Sequence, residues 1–215
     1  MSPLPTNTEN TFRLLQEKIT WLHASWRIYK QLFDSSDQER IDILEDCAGS
    51  FFYLVENSIL DKVLLTICKL TDPTSNGKDI NLSLSYLLKL LQDNEDINAR
   101  EYKRLLNKIK RDSESIRERR NKQLSHSDLK VESKINSLSP LHINELEDVL
   151  KQIRELMNLI ETNYNNYETG YEHTSMRGDG DDLIAILKYA MKYEKMLEDE
   201  TVTIDEDIKD AWDDA

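Results

Sequence analysis

From Ile41 to Leu70 the chain carries no proline, and its apolar residues return at spacings of three and four: Ile41, Leu44, Cys47, Phe51, Leu54, Val55, Ile59, Val63, Leu64, Ile67, Cys68 and Leu70. That is the period of a helix and of no other regular element. Ser36 to Glu39 fits a capping box ahead of it. Together they predict one helix of about 33 residues, roughly 50 Å long at 1.5 Å per residue. Gly49-Ser50 is the place where it is expected to bend. The second half, Ser58 to Leu70, is apolar nearly all round, so burial between several neighbouring helices is expected. Both cysteines, Cys47 and Cys68, lie on this helix among apolar residues. They read as two buried free thiols, since two cysteines make no disulfide framework.

An element that long sets the terms for the remainder. Before it, Phe12, Leu15, Ile19, Leu22, Trp26, Tyr29 and Phe33 predict an amphipathic helix capped by Asn7 or Thr8. His23, between Trp21 and Trp26, reads as a packed or surface residue. After it, Thr71 to Asn81 is a loop with a proline and an Asn-Gly turn. Asn81 or Ser83 then caps a short leucine-rich helix through Leu91, which Gln92 to Asp96 ends. A charged helix is expected from about Ile97 to Asn121, then a helix end and surface loop over Lys122 to Ser139. Pro140 opens a second long helix running to about Tyr167, whose face Tyr164, Tyr167 and Tyr171 continue as packing residues. Asp181 and Asp182 open a last helix through Leu197. D-G-D-D there reads as helix capping, because a calcium loop needs a later Glu that is missing.

No strand signal, repeat or low-complexity tract accompanies these stripes. The fold class is therefore all-α, a helical bundle with two long helices and several shorter ones. Residues 1–7 are expected to be a loose leader, 8–197 a single helical domain, and 198–215 an acidic mobile tail. No apolar run approaches the roughly 20 residues that span a bilayer, and the N-terminus lacks the pattern of a signal peptide. A cytoplasmic protein without membrane partners is expected.

Charge narrows the function. The net charge is −13, which argues against a protein that simply coats DNA. Yet Arg100 to Lys122 holds ten Lys or Arg against four Asp or Glu, so this one segment is locally +6 in an acidic body. At its end stands Ile116 to Asp128, I-R-E-R-R-N-K-Q-L-S-H-S-D. Of the four histidines only His126 has an arginine five to seven positions before it, and it has two, Arg119 and Arg120. Phosphate-cradling glycine loops, the G-x-S-x-G elbow and zinc-spaced Cys/His clusters are absent from the sequence. No cofactor or metal is implied.

A paired Arg and His suit RNA cleavage without a metal. The 2′-hydroxyl must lose a proton to attack the adjacent phosphorus, and a His with an ordinary pKa near 6.5 serves as base or acid at neutral pH. A guanidinium binds the non-bridging oxygens and stabilises charge developing there. Asn121 would orient the His or the ribose. Arg117, Arg119, Lys122, Lys110 and Arg111 would hold the flanking backbone as RNA-binding residues. The plain alternative is a solvated helix end, since an Arg separated from a His by four to six intervening residues is common by chance.

The same stretch resembles the signature of the HEPN superfamily, an Arg, a polar residue, and a His four to six positions on. Its setting is similar to the AbiU-type abortive-infection branch: S-I-L-D-K-V-L-L-T-I-C-K-L-T-D-P, then N-L-S-L-S-Y-L-L-K-L-L, and later G-D-G-D-D-L-I-A-I-L. The likeness covers roughly Ser36 to Leu197. It implies an all-α homodimer with two Arg–His motifs across one cleft. It also implies a metal-independent endoribonuclease acting as a toxin or phage-defence effector, with an antitoxin or defence-complex protein as partner. By position Arg120 matches the motif arginine, Asn121 the polar residue and His126 the histidine, with Arg119 an alternative for Arg120. The chain departs from the branch whose motif continues His-x-Tyr, because Asp128 holds the third position. Some superfamily members only bind, so the alternative reading is a non-catalytic helical interaction or sensor module.

Overall fold

A computed structural model describes residues 4–33, 37–121, 143–174, 176–199 and 201. Its described part is helical almost throughout. The two N-terminal helices are long, α1 over Thr6–Phe33 and α2 over Gln38–Leu70. They are followed by α3 (Leu84–Asp93), α4 (Ala99–Asp112), α5 (Glu114–Arg119), α6 (Ile143–Asn165), a 3-10 turn (Tyr171–His173) and α7 (Gly180–Glu198). The all-α bundle expected from the apolar stripes is what forms. The described residues fall into two compact units, one drawn from 1–27 and 57–175, the other from 28–56 and 176–215.

The first unit contains the larger core. Leu15 and Ile19 of α1, Val63, Leu64 and Ile67 of α2, and Leu84, Leu87 and Leu91 of α3 are all buried. Each such leucine or isoleucine removed from water is worth about 1.5–3 kcal/mol before entropy is charged against it. α4 packs on α6 and on α3. Tyr102 of α4 is fully buried, and its hydroxyl accepts a 2.8 Å bond from Asn163 of α6, so the polar tip does not go unmatched. Ser83 caps α3, its Oγ accepting from the Tyr86 amide at 3.3 Å. Asn166, at φ 51°, stops α6 in the left-handed conformation that Asn tolerates.

Three details depart from expectation in this unit. The charged helix is not continuous to Asn121: it breaks at Ser113, where ψ is 8° and Oγ bonds back to the Lys110 carbonyl at 3.1 Å. A serine that offers the backbone this alternative weakens the helix locally. The loop after α2 carries a minimal hairpin where no strand was expected, β1 (Ser75–Asn76) and β2 (Asp79–Ile80), with Ser75 opposite Ile80. Gly77 closes it at φ 62°, a conformation only glycine takes at little cost. The tyrosine ladder also divides. Tyr171 is buried and the Tyr164 hydroxyl bonds Asp96, but Tyr167 is exposed. His23 is buried as one of the expected alternatives, against Tyr171 at 6.0 Å between ring centres.

In the second unit Leu32, Phe33, Ile43, Leu44, Phe52 and Ile184 are buried. α2 bends here at Ala48, which has non-helical angles (φ −164°, ψ 59°), one residue before the expected Gly49. Cys47 beside it is exposed rather than buried, while Cys68 is buried as expected. The bend resets the helix phase, so a stripe extrapolated through it misplaces its members. Asp179 caps α7 by accepting from the amides of Asp181 and Asp182 at 3.1 and 3.3 Å, which is the capping role expected of that acidic run.

Candidate nucleic-acid site

The basic segment meets the C-terminal end of α2 within the first unit. Ile116 is fully buried and anchors the short helix α5. Arg117, beside it, reaches α2 with both terminal nitrogens. One donates to Asp72 Oδ1 at 2.8 Å; the other donates to the Cys68 carbonyl at 3.0 Å and to Thr71 Oγ1 at 2.7 Å. The last carbonyls of a helix lack partners of their own, and a guanidinium there satisfies them while meeting the negative end of the helix dipole. The arrangement makes Arg117 a clamp on α2.

Cationic side chains crowd around that clamp. Burial pushes the Lys110 ammonium below its ordinary value, the charge of Arg117 pushes it the same way, and Asp72 pulls back. Burial likewise raises the Asp61 carboxyl, with Arg119 opposing. The Cys68 thiol is pushed up by burial, against the charge of Arg117 and a hydrogen bond from Arg120. A raised thiol pKa makes Cys68 a packing residue rather than a nucleophile.

Arg120 continues the helical backbone after α5 (φ −56°, ψ −45°). Its Nε is buried and has no hydrogen-bond partner among the described residues. A buried N–H left unmatched costs about 1–3 kcal/mol, and on a guanidinium it is a donor prepared for an anion. Asn121 follows and is exposed. Lys122 and His126 lie outside the described residues. Arg111 sits exposed on α4, its Nε on Asp112 at 3.0 Å, and Asp112 in turn accepts from Gln152 at 3.0 Å.

Lys110, Arg117 and Arg120 are thus gathered around the C-terminal end of α2, with Arg119 acting on Asp61 further back along that helix, whereas Arg111 is engaged on α4. Two features escaped sequence reasoning. The partners of Arg117 lie 45 to 49 residues earlier, a separation that no local periodicity reports. The first turns of α4 add a shallow groove of about 620 Å³ lined by Arg100, Lys103 and Arg104, with Ile97, Asn98, Asn107 and one acid, Glu101. Its charges were visible in the basic count, but their shared face was not. Among the described residues no group of three His, Cys, Asp or Glu side chains is placed to hold a metal ion, and no helix is long and apolar enough to cross a membrane.

The family model HEPN_AbiU2, described as AbiU2, matches residues 6–183. No curated protein and no solved structure matches the chain.

Proposed function

Because the chain belongs to the HEPN AbiU2 family, we propose that it is a metal-independent endoribonuclease of a toxin or phage-defence, abortive-infection system. In this reading a homodimer sets two Arg120–His126 motifs across one cleft. The 2′-oxygen of the substrate gives its proton to a base, bonds to phosphorus, and expels the 5′-oxygen, which takes a proton from an acid. His126 fills the acid/base role, and Arg120 binds the non-bridging oxygens as charge accumulates on them. Asn121 orients the ribose or the imidazole.

The observation that carries this reading is Arg120: a half-buried side chain whose Nε is buried and unmatched among the described residues, inside a cluster of cations, directly after α5 and six positions before the motif histidine. Phosphate is the anion that such a cluster fits best. Arg119, Lys110, Lys122 and Arg111 hold the flanking backbone, and Arg117 braces the helix that presents them. Cleavage of a single-stranded oligoribonucleotide by full-length protein tests it. Arg120→Ala and His126→Ala should each abolish cleavage, and full activity in the His126→Ala protein would refute the assignment.

A second reading has its own support. Phe51 of α2 and Ile186 and Tyr189 of α7 expose 60%, 63% and 74% of their surface, as a module that docks on another protein would. In that case RNA would be bound weakly and left intact.

A further inference from the structure

An apolar groove of about 360 Å³ runs along the first unit, away from the motif helix. Leu14, Trp21 and Leu22 of α1, Val63 and Thr66 of α2, and Leu82 ahead of α3 line it. Trp21 leaves 55% of its surface exposed and Leu14 42%. A single exposed tryptophan is ordinary; what surrounds this one is not. Lys18, Lys62 and one acid, Glu17, line the groove, and Lys69 follows two turns along α2. The Lys18 ammonium is pushed down by burial and then by the charge of Lys69, so the two stand close enough to repel. None of the three lysines has a carboxylate ion-pair partner among the described residues. The hydroxyls of Ser25 and Thr66 are spent inside their own helices, on the Trp21 and Lys62 carbonyls at 2.8 and 2.7 Å. The groove therefore offers an aromatic face, apolar walls and a border that is net positive, three lysines against Glu17.

α2 joins this groove to the candidate site. Asp61 and Cys68, which feel the charges of Arg119 and Arg120, lie on one strip of the helix, and Asp72, which Arg117 clamps, follows just past its end. Lys62, Thr66 and Lys69 form the strip beside it, about 100° around at 3.6 residues per turn. A polyanion held by the arginines and continuing across α2 meets the lysines next and Trp21 after them. The helix with its side chains is about 10–12 Å wide, so what reaches Trp21 is a flanking nucleotide rather than the one being cleaved.

We propose that this groove is a base-binding subsite for single-stranded RNA, in which a flanking base stacks on Trp21 and its phosphates lie against Lys18, Lys62 and Lys69. The inference rests on the ribonuclease reading and names where that substrate continues. An amphipathic helix of a protein partner would want an apolar strip without a lysine border, and a neutral small molecule would gain nothing from three ammonium groups. Stacking on an aromatic side chain is tolerant of sequence, so the subsite sets grip and path rather than base identity.

The test uses full-length protein carrying His126→Ala, so that binding is separated from cleavage, and a fluorescein-labelled single-stranded oligoribonucleotide. Adding Trp21→Ala should weaken binding roughly 5- to 150-fold, and Trp21→Phe should keep most of it. Lys18→Glu and Lys62→Glu should each flatten the dependence of log affinity on log salt by about 0.7 per lost phosphate contact. Unlabelled RNA should quench tryptophan emission in the parent and much less in the Trp21→Phe protein. Circular dichroism and urea unfolding confirm that each variant is folded. Weaker binding by Arg120→Ala with none lost by Trp21→Ala or the lysine variants overturns the subsite and leaves the ribonuclease reading standing. Absence of both RNA binding and wild-type cleavage overturns that reading and the subsite with it. Retained RNA binding by Trp21→Ala, together with protection of Trp21 by a protein partner, also overturns it.

Discussion

Arg117 donates a 2.8 Å hydrogen bond to Asp72, 45 residues before it in the chain, and through this pair the motif helix is fastened to the end of α2. Both side chains are largely buried, at 24% and 28% exposure. Arg117→Ala would strand the Asp72 carboxylate and leave the Cys68 carbonyl and Thr71 Oγ1 without this donor. Hydrogen bonds to charged groups are worth about 1.5–3 kcal/mol, so a loss near 2 kcal/mol is expected in urea unfolding. Arg117→Lys should recover only part, because one ammonium cannot span three acceptors as a planar fork does.

Arg120 should behave differently. Its buried Nε has no partner among the described residues and its bond to the Cys68 thiol is a weak one, so Arg120→Ala should change stability by no more than about 1 kcal/mol in either direction. Cleavage should fall at least ~100-fold, as when a donor aimed at developing charge is removed. Thermal unfolding and a single-turnover cleavage assay on the same sample check both halves.

His23 supplies a pH dependence far from the site. Burial is the main cause that pushes its pKa down to about 4, with the charge of Arg154 next. The unfolded chain has it near 6.5. Between these values the unfolded state binds the extra proton, so stability rises with pH. The contribution is fully present above pH 6.5 and is lost as pH falls toward 4, a span of about 3 kcal/mol. Urea midpoints at pH 4.5 and pH 7 should differ accordingly, and His23→Leu should flatten the difference.

Much of the fold was legible because a period of 3.6 survives any packing. Leu84, Leu87, Leu88 and Leu91 announce α3, and all four are buried. The break between α4 and α5 was hidden for the same reason: Ile109 and Ile116 stand one heptad apart, so the apolar stripe runs on past Ser113 while the backbone turns. Cys47 shows the reverse error, a stripe extended across the bend at Ala48. At the site, the crowd of cations could be counted in sequence. The division of labour within it could not, because what separates Arg117 from Arg120 is Asp72, Thr71 and Cys68 on another helix.

Gly180, the first residue of α7, is a site where the second unit tolerates no side chain. A Cβ there would lie 2.7 Å from Cβ of Gln31 and 3.1 Å from Cγ of Leu32. Overpacking of this kind costs about 1–3 kcal/mol. Gly180→Ala should also disturb the bonds of Gln31 to Asp179 and Asp181, now 2.9 and 2.8 Å. Hydrogen exchange should report faster opening of α7, with α3 and α6 unaffected.

The central claim is that Arg120 and His126 cleave RNA without a metal. Its most direct test is to incubate total cellular RNA with wild-type and His126→Ala protein in EDTA and to map the ends produced. The expected result is cleavage by the wild type alone, with products ending in 2′,3′-cyclic phosphate. Undiminished cleavage by the His126→Ala protein, or products bearing a 5′-phosphate, would contradict it.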